Sequence, residues 1–280
     1  MRTISTATIS DAVAGLCREA ACRLPPGVVR ALAAARRRER DPRARRTLGL
    51  LSENAAIARR DGIPVCQDTG VAFIWARLGQ DLRITGGGLR AAIDRGVRRG
   101  YRRGRLRASV LADPLRGKNT GDNTPAFVHV ELVPGDKLAL TLLPKGAGAE
   151  NMSALKMFPP SVGVKEITAF VTETVVRSWA NACPPLVVGV GIGSTFDGAP
   201  LLAKQALLRD LGRRHRDPFY ARLERQLLAA LNATGIGPAG LGGSTTALAV
   251  HVETAPRHIA SLAVAVNLQC HAARTATVTL

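Results

Sequence analysis

A change of texture at Asp61-Gly62 restricts this chain more than any other feature. Ala, Leu and Arg dominate residues 9–60, and Pro25-Pro26 with Gly27 breaks that run between two helices. Ser52 to Arg60 carries a further helical pattern up to the Asp61-Gly62 stop. Beyond it the apolar residues come in short runs bounded by Gly, Pro, Asn and Asp clusters, the pattern of strands. Residues 71–78, 126–132, 137–143, 186–192, 247–253 and 259–266 are expected to be strands, and 89–100, 164–181 and 200–232 to be helical. The expectation is an α/β fold of mixed sheets flanked by helices, with a helical N-terminal lead over 1–60. No internal repeat or low-complexity linker divides it, so residues 1–280 read as a single compact unit.

With aromatics at only 4%, the core must be built from Val, Leu, Ile and Ala. The longest apolar stretches, 186–192 and 259–266, are too short for a membrane span. The opening MRTISTATISDAV has no apolar signal-peptide region, so no membrane association is expected and the cytoplasm is the default location. A net charge of +18 raises nucleic acid as a partner. Against that, Arg outnumbers Lys 33 to 6, aromatics that could stack on bases are scarce, and the Arg runs at 36–46 and 95–107 are interleaved with apolar residues at helical spacing. Solvated helix faces and no specific nucleic acid are the expectation. Such a surface also attracts small anions.

Five cysteines occur, an odd number with no CxxC spacing, so free thiols or ligands are expected rather than disulfides. Cys17 and Cys22 lie in the helical lead. Cys66 sits in PVCQDTG, on a turn that sets Gln67, Asp68 and Thr69 beside the thiol. Cys183 sits in NACPPLVVGVGIG, where Pro184-Pro185 stops a helix before a buried strand, and Cys270 ends an apolar strand in AVAVNLQCHAAR. Separations of 117 and 87 residues exclude a local binding loop but not a site assembled in three dimensions. Three thiolates with an open fourth position suit a [4Fe–4S] cluster, although spacing alone does not separate that from three unrelated core cysteines. Among the Gly-rich stretches, GVGIGS at 189–194 comes between strand and helical patterns and resembles a dinucleotide or phosphate loop, but it lacks the third Gly of a dinucleotide fingerprint and no Walker Lys-Ser/Thr follows. PKGAGAENMS at 144–153 and GPAGLGGSTT at 237–246 read as loops whose backbone N–H groups can cradle carboxylates.

Taken together, PVCQDTG, NTGDNTPAFVHVELVPGD, PKGAGAENMSALKMFPPS, CPPLVVGVGIG, LLAKQALLRDLG, GPAGLGGSTTALAVHVET and NLQCHAAR resemble the α-subunit segments of class I fumarases and L(+)-tartrate dehydratases. The resemblance runs in order from about residue 5 to the C-terminus. It implies the separate α subunit of an iron–sulfur hydro-lyase, a catalytic unit that pairs with a β subunit in an αβ or α2β2 assembly. The reaction would be reversible dehydration of a small hydroxy-dicarboxylic acid, malate to fumarate or tartrate to oxaloacetate. By the same resemblance Cys66, Cys183 and Cys270 hold a [4Fe–4S] cluster, Gln67 and Asp68 face the substrate, Arg107 in LRASV pairs a substrate carboxylate, and Gly148 in KGAGAEN brings backbone close to it. His258, twelve residues ahead of the third Cys, is implied to lie near the active site and, with Asp68, to serve in acid–base chemistry. Ser194 and Gln269 depart from the family pattern without removing a ligand. A non-catalytic α-like protein, kept as an interaction or nucleic-acid-binding module, is the alternative.

Overall fold

A computed structural model describes residues 2–280. In chain order the elements are β1 (Arg2–Ser5), α1 (Thr6–Cys22), α2 (Pro26–Arg38), α3 (Pro42–Asp61), β2 (Val71–Gly79), β3 (Leu82–Thr85) and α4 (Leu89–Arg103). There follow β4 (Phe127–Val133), β5 (Leu138–Lys145), the single turn α5 (Ala147–Glu150), β6 (Ala154–Phe158), α6 (Val164–Ser178), β7 (Leu186–Ser194) and α7 (Gly198–Ala206). The chain closes with α8 (Pro218–Ala233), β8 (Ala247–Arg257), β9 (Leu262–Gln269) and β10 (Ala276–Thr279). The expected class is borne out: helices flank mixed sheets, and α1 to α3 form the helical lead. Two compact units are resolved, one made of residues up to Pro25, Ala55–Gly146 and Arg274–Leu280, the other of Pro26–Asn54 and Ala147–Ala273.

In the first unit the sheet order is β10-β5-β2-β4, with β2 parallel to β4 and antiparallel to β5. β2 is buried almost along its length, as its unbroken VAFIWA run requires. Ile74, Leu138, Leu140 and Leu142 meet Ile9, Val13, Ile93 and Val97 of α1 and α4 in one apolar core. Fully burying side chains of this size contributes about 1.5–3 kcal/mol each. α4 lies hard against α1 because Gly96 and Gly100 face it. A Cβ at either would come within 2.6 Å of Val13 or 2.7 Å of Cys17. Cys17 is thus a packing residue, and burial pushes its thiol up to about 12.

The second unit is built on the order β6-β9-β7-β8, with β7 parallel to β8 and antiparallel to β9. Side chains alternate across a strand, and here the two faces differ in size. Val188, Val190 and Ile192 of β7 join Val264, Val266 and Leu268 of β9 in the large core with α6 and α8. Ala263 and Ala265 meet Ala199 and Ala203 of α7 in a thin layer of small residues. Gly189 and Gly191 lie on that thin side. A Cβ on them would fall 2.0 Å from the Ala203 carbonyl oxygen and 2.1 Å from that of Ala199. GVGIGS is therefore the last part of β7, the strand expected over 186–192, and not the phosphate loop that its glycines resemble. Its glycines admit a helix, not a phosphate. Residues 200–232 also differ from expectation: the helix breaks between Ala206 and Pro218, where Arg209 forms ion pairs with Glu224 and Glu253 and donates to the Val252 carbonyl.

Candidate active site

In the first unit the segment 66–70 leads into β2 as a tight turn. Cys66 is half-exposed and its thiol lies 3.4 Å from Oε1 of Gln67, which is exposed. The turn is held from several directions. Its own Asp68 Oδ1 accepts from the Gly70 N–H at 3.0 Å, and the Asp68 carbonyl accepts from Nη2 of Arg274 at 2.9 Å. The Gly70 carbonyl accepts from the Tyr101 hydroxyl at 2.8 Å and from Asn123 Nδ2 at 3.3 Å. Gly70 has φ +76° and lies so near the backbone of Lys145 that a Cβ would be 2.8 Å away, so only glycine fits. Gly146 approaches the Asp68 carboxylate, whose Oδ2 would be 3.1 Å from a Cβ there. The PKGAG stretch, read as a loop from the sequence, thus begins beside Asp68. Arg107 is brought to the same turn: its carbonyl accepts from Thr69 Oγ1 at 2.9 Å, and its side chain is exposed.

In the second unit α6 ends in a 3-10 turn, Trp179–Ala182, that delivers Cys183 in the left-handed region at φ 54° with its side chain exposed. The Cys183 carbonyl accepts from the His271 N–H at 3.1 Å, and Nδ1 of His271 is 3.2 Å from it. Cys183 is thereby tied to the Cys270-His271 step at the end of β9. Gly148 lies against the same turn, since a Cβ on it would be 2.9 Å from the Asn181 carbonyl oxygen. Gly148, Cys183 and Cys270 therefore share one end of this sheet.

His258 does not join them. It lies in the turn between β8 and β9, exposed, with Nδ1 accepting from the Ala260 N–H at 3.1 Å. β9 begins at Leu262 and reaches Cys270 only after its full length, roughly 25 Å at 3.3 Å per residue. Closeness in sequence to Cys270 here means opposite ends of one strand.

The three motif cysteines differ from the other two in a way that bears on metal binding. Cys66 and Cys270 are half-exposed and Cys183 is exposed, whereas Cys17 and Cys22 are buried in α1, and burial raises both of their thiol pKa values. A thiol must ionise to ligate, so the first three are the suitable donors. Among the described residues no three His, Cys, Asp or Glu side chains are gathered as a single metal ion would require. A zinc ion would draw its thiolates to about 3.8 Å from one another, given Zn–S near 2.3 Å. A four-iron cluster spaces its thiolates more widely, and an all-cysteine donor set suits it. Sequence reasoning placed Thr69 on this turn but did not single out Asn123 or Arg274 as residues of the region. A lone Arg in HAARTATVTL gives no sign that it is 1% exposed. The side chain of Gln269, beside Cys270, is 2% exposed and neither of its amide atoms has a hydrogen-bond partner.

The sequence profile of fumarate hydratase (Fumerase) matches residues 10–279. The chain belongs to the fumarate hydratase family. A protein of Methanocaldococcus jannaschii with the provisional name L(+)-tartrate dehydratase subunit alpha is 43% identical over 274 residues, 96% of each chain. The L(+)-tartrate dehydratase subunit alpha of Escherichia coli K12 is 34% identical over 218 residues, covering 76% of this chain and 71% of its own. That of Shigella sonnei matches to the same extent. Family and relatives together make this chain a hydro-lyase component of the fumarate hydratase or tartrate dehydratase type. No helix among the described residues is long and apolar enough to cross a membrane.

Proposed function

We propose that the chain is the α subunit of a [4Fe–4S]-dependent hydro-lyase that interconverts a small hydroxy-dicarboxylic acid and its dehydrated product, malate and fumarate or tartrate and oxaloacetate. Cys66, Cys183 and Cys270 would hold the cluster. The observation that carries this reading is the contrast among the five thiols: the three in family motifs are accessible at element ends, while the two in α1 are buried. When bound, the cluster supplies a Lewis-acidic iron for the departing hydroxyl.

The chain's own residues supply the rest. The exposed guanidinium of Arg107 can take one substrate carboxylate in a bidentate pair. The Gln67 amide can hydrogen-bond the substrate beside Cys66, and the exposed loop at Gly148 offers backbone approach. Asp68, held by the Gly70 N–H, is the proton acceptor for the carbon next to the one that bears the hydroxyl. The family resemblance also gives His258 an active-site role. His258 lies at the far end of β9 from Cys270, so within this chain the base is assigned to Asp68. A β subunit would contribute the second cation and the opposite wall and would exclude water.

The test is anaerobic co-purification with the β subunit and assay against malate, fumarate and both tartrate enantiomers, with the α chain alone as control. About four irons per chain, and turnover by the complex but not by α alone, are the expected results. An iron-free complex, or one inert towards all of these acids, would overturn the reading. The alternative, a non-catalytic α-like interaction or nucleic-acid-binding module, draws on one feature. A cavity of about 640 Å³ between α1 and α4 is lined by Arg95, Arg98, Arg99, Arg102 and Arg103, with Asp11 paired to Arg99 among them.

A further inference from the structure

Arg107 projects from an irregular stretch between α4 and β4, a poor place from which to aim a guanidinium. Yet three consecutive residues there have their main chain pinned. The Arg107 carbonyl accepts from Thr69 Oγ1 at 2.9 Å. The Ala108 carbonyl accepts from Asn119 Nδ2 at 3.1 Å, and the Ser109 N–H donates to Asn123 Oδ1 at 2.7 Å. Two of the three pins reach the turn that carries Gln67 and Asp68. Thr69 belongs to that turn, and Asn123 turns its other amide atom, Nδ2, to the Gly70 carbonyl at 3.3 Å. Asn123 is 0% exposed and Thr69 2% exposed, so neither can touch a substrate from solvent. Asn123 also sits at φ +61°, a left-handed conformation that few residues other than Gly, Asn and Asp adopt readily.

We propose that Thr69 and Asn123 are positioning residues that lock the Arg107 segment in register with the Cys66–Gly70 turn, and so set the distance between the carboxylate clamp and the Gln67–Asp68 pair. This rests on the proposed role of Arg107. Each bond is suited to the task. The Thr69 hydroxyl is two residues from the Gln67 side chain and grips the backbone of Arg107 itself. The Asn123 amide uses its donor on one strap and its acceptor on the other, which neither Asp nor Leu could do. Both pairs are shielded from competing water, so their geometry persists.

The test is a double-mutant cycle in the anaerobic αβ holoenzyme. Thr69→Val should raise KM for the dicarboxylate about tenfold, a loss of about 1.4 kcal/mol of carboxylate binding when the clamp is displaced. Its kcat per cluster should stay within twofold of wild type, as expected when an interaction common to ground and transition states is lost. Thr69→Ser, which keeps the hydroxyl, should restore KM. Arg107→Ala should raise KM further, and Thr69→Val added to it should change KM less than twofold, because the two act through one group. Asn123→Asp, which keeps the acceptor and loses the donor, should raise KM in the same way and carries the test if Thr69→Val does not accumulate. A role in stability alone predicts lower melting temperature and iron content with unchanged KM, and that result, or full additivity with Arg107→Ala, would overturn the proposal. If Arg107→Ala leaves KM unchanged, the clamp assignment falls and this inference falls with it. A wild-type complex with no activity would instead remove the hydro-lyase reading itself.

Discussion

Replacing Gly191 by Ala adds one methyl group where the structure leaves no room. The new Cβ would lie 2.1 Å from the Ala199 carbonyl oxygen, 2.7 Å from the Ala203 nitrogen and 2.9 Å from Leu202 Cβ. Ordinary contact begins near 3.4 Å. Relief therefore needs α7 to withdraw from β7 by about 1 Å or more, and two of the three obstructing atoms are backbone, which cannot rotate away. Withdrawal would also open the layer of Ala199, Ala203, Ala263 and Ala265, all at most 2% exposed. Overpacking of a core commonly costs about 1–3 kcal/mol, and rigid backbone obstruction puts Gly191→Ala at about 3 kcal/mol or above. Gly15, in the middle of α1, is the control. It is exposed and nothing lies within 4 Å of its would-be Cβ. Gly15→Ala should stabilise by roughly 0.5–1 kcal/mol through helix propensity alone. Urea unfolding followed by far-ultraviolet circular dichroism measures both. The packing argument is refuted if Gly191→Ala unfolds within about 0.5 kcal/mol of wild type, or if both substitutions shift the midpoint in the same direction.

Three further outcomes are expected. Serine at Cys66, Cys183 or Cys270 should abolish the brown colour and iron content of anaerobically purified protein, whereas Cys17→Ser and Cys22→Ser should keep them; full iron in any of the first three removes the ligand assignment. For the Asp122 carboxyl, burial acts to raise the pKa, but hydrogen bonds from Thr124 and Arg98 prevail and hold it near 2 against an ordinary 3.8. A depressed folded pKa stabilises above about pH 4 and is lost as pH falls towards 2, so Asp122→Asn, whose Arg98 partner is partly solvated, should cost about 1 kcal/mol at pH 7 and progressively less under acid, as read from urea midpoints across pH. Binding of DNA or RNA to the arginine-lined cavity should be weak, indifferent to sequence and strongly weakened between 50 and about 200 mM salt; a salt-resistant, sequence-specific complex in a gel-shift titration would favour the binding-module alternative.

Much of the architecture was open to reading because local physics and tertiary demand coincide. In β7 the alternation Val-Gly-Val-Gly-Ile states in sequence that one face is thick and the other thin. Period alone fixes that it is a strand, although its glycines suggested a loop. β3, β6 and β10 escaped notice, being only four or five residues long and too short to show a period of their own. β10 exists as a strand because it finds β5, more than 130 residues earlier, with Thr277 opposite Thr141.

The sequence by itself determined the helical lead, the principal strands, the family and the cysteine motifs, because periodicity, turn residues and motif chemistry are local properties of the chain. Only the tertiary structure decided that His258 stands a strand's length from Cys270, that Arg274 is buried with its guanidinium on the Asp68 carbonyl, and that Asn123 ties the Arg107 segment to Gly70. Those are distances between residues remote in sequence, or along an element whose direction no composition records. They are set by which backbone groups remain to be satisfied once the sheets and helices have closed around their cores.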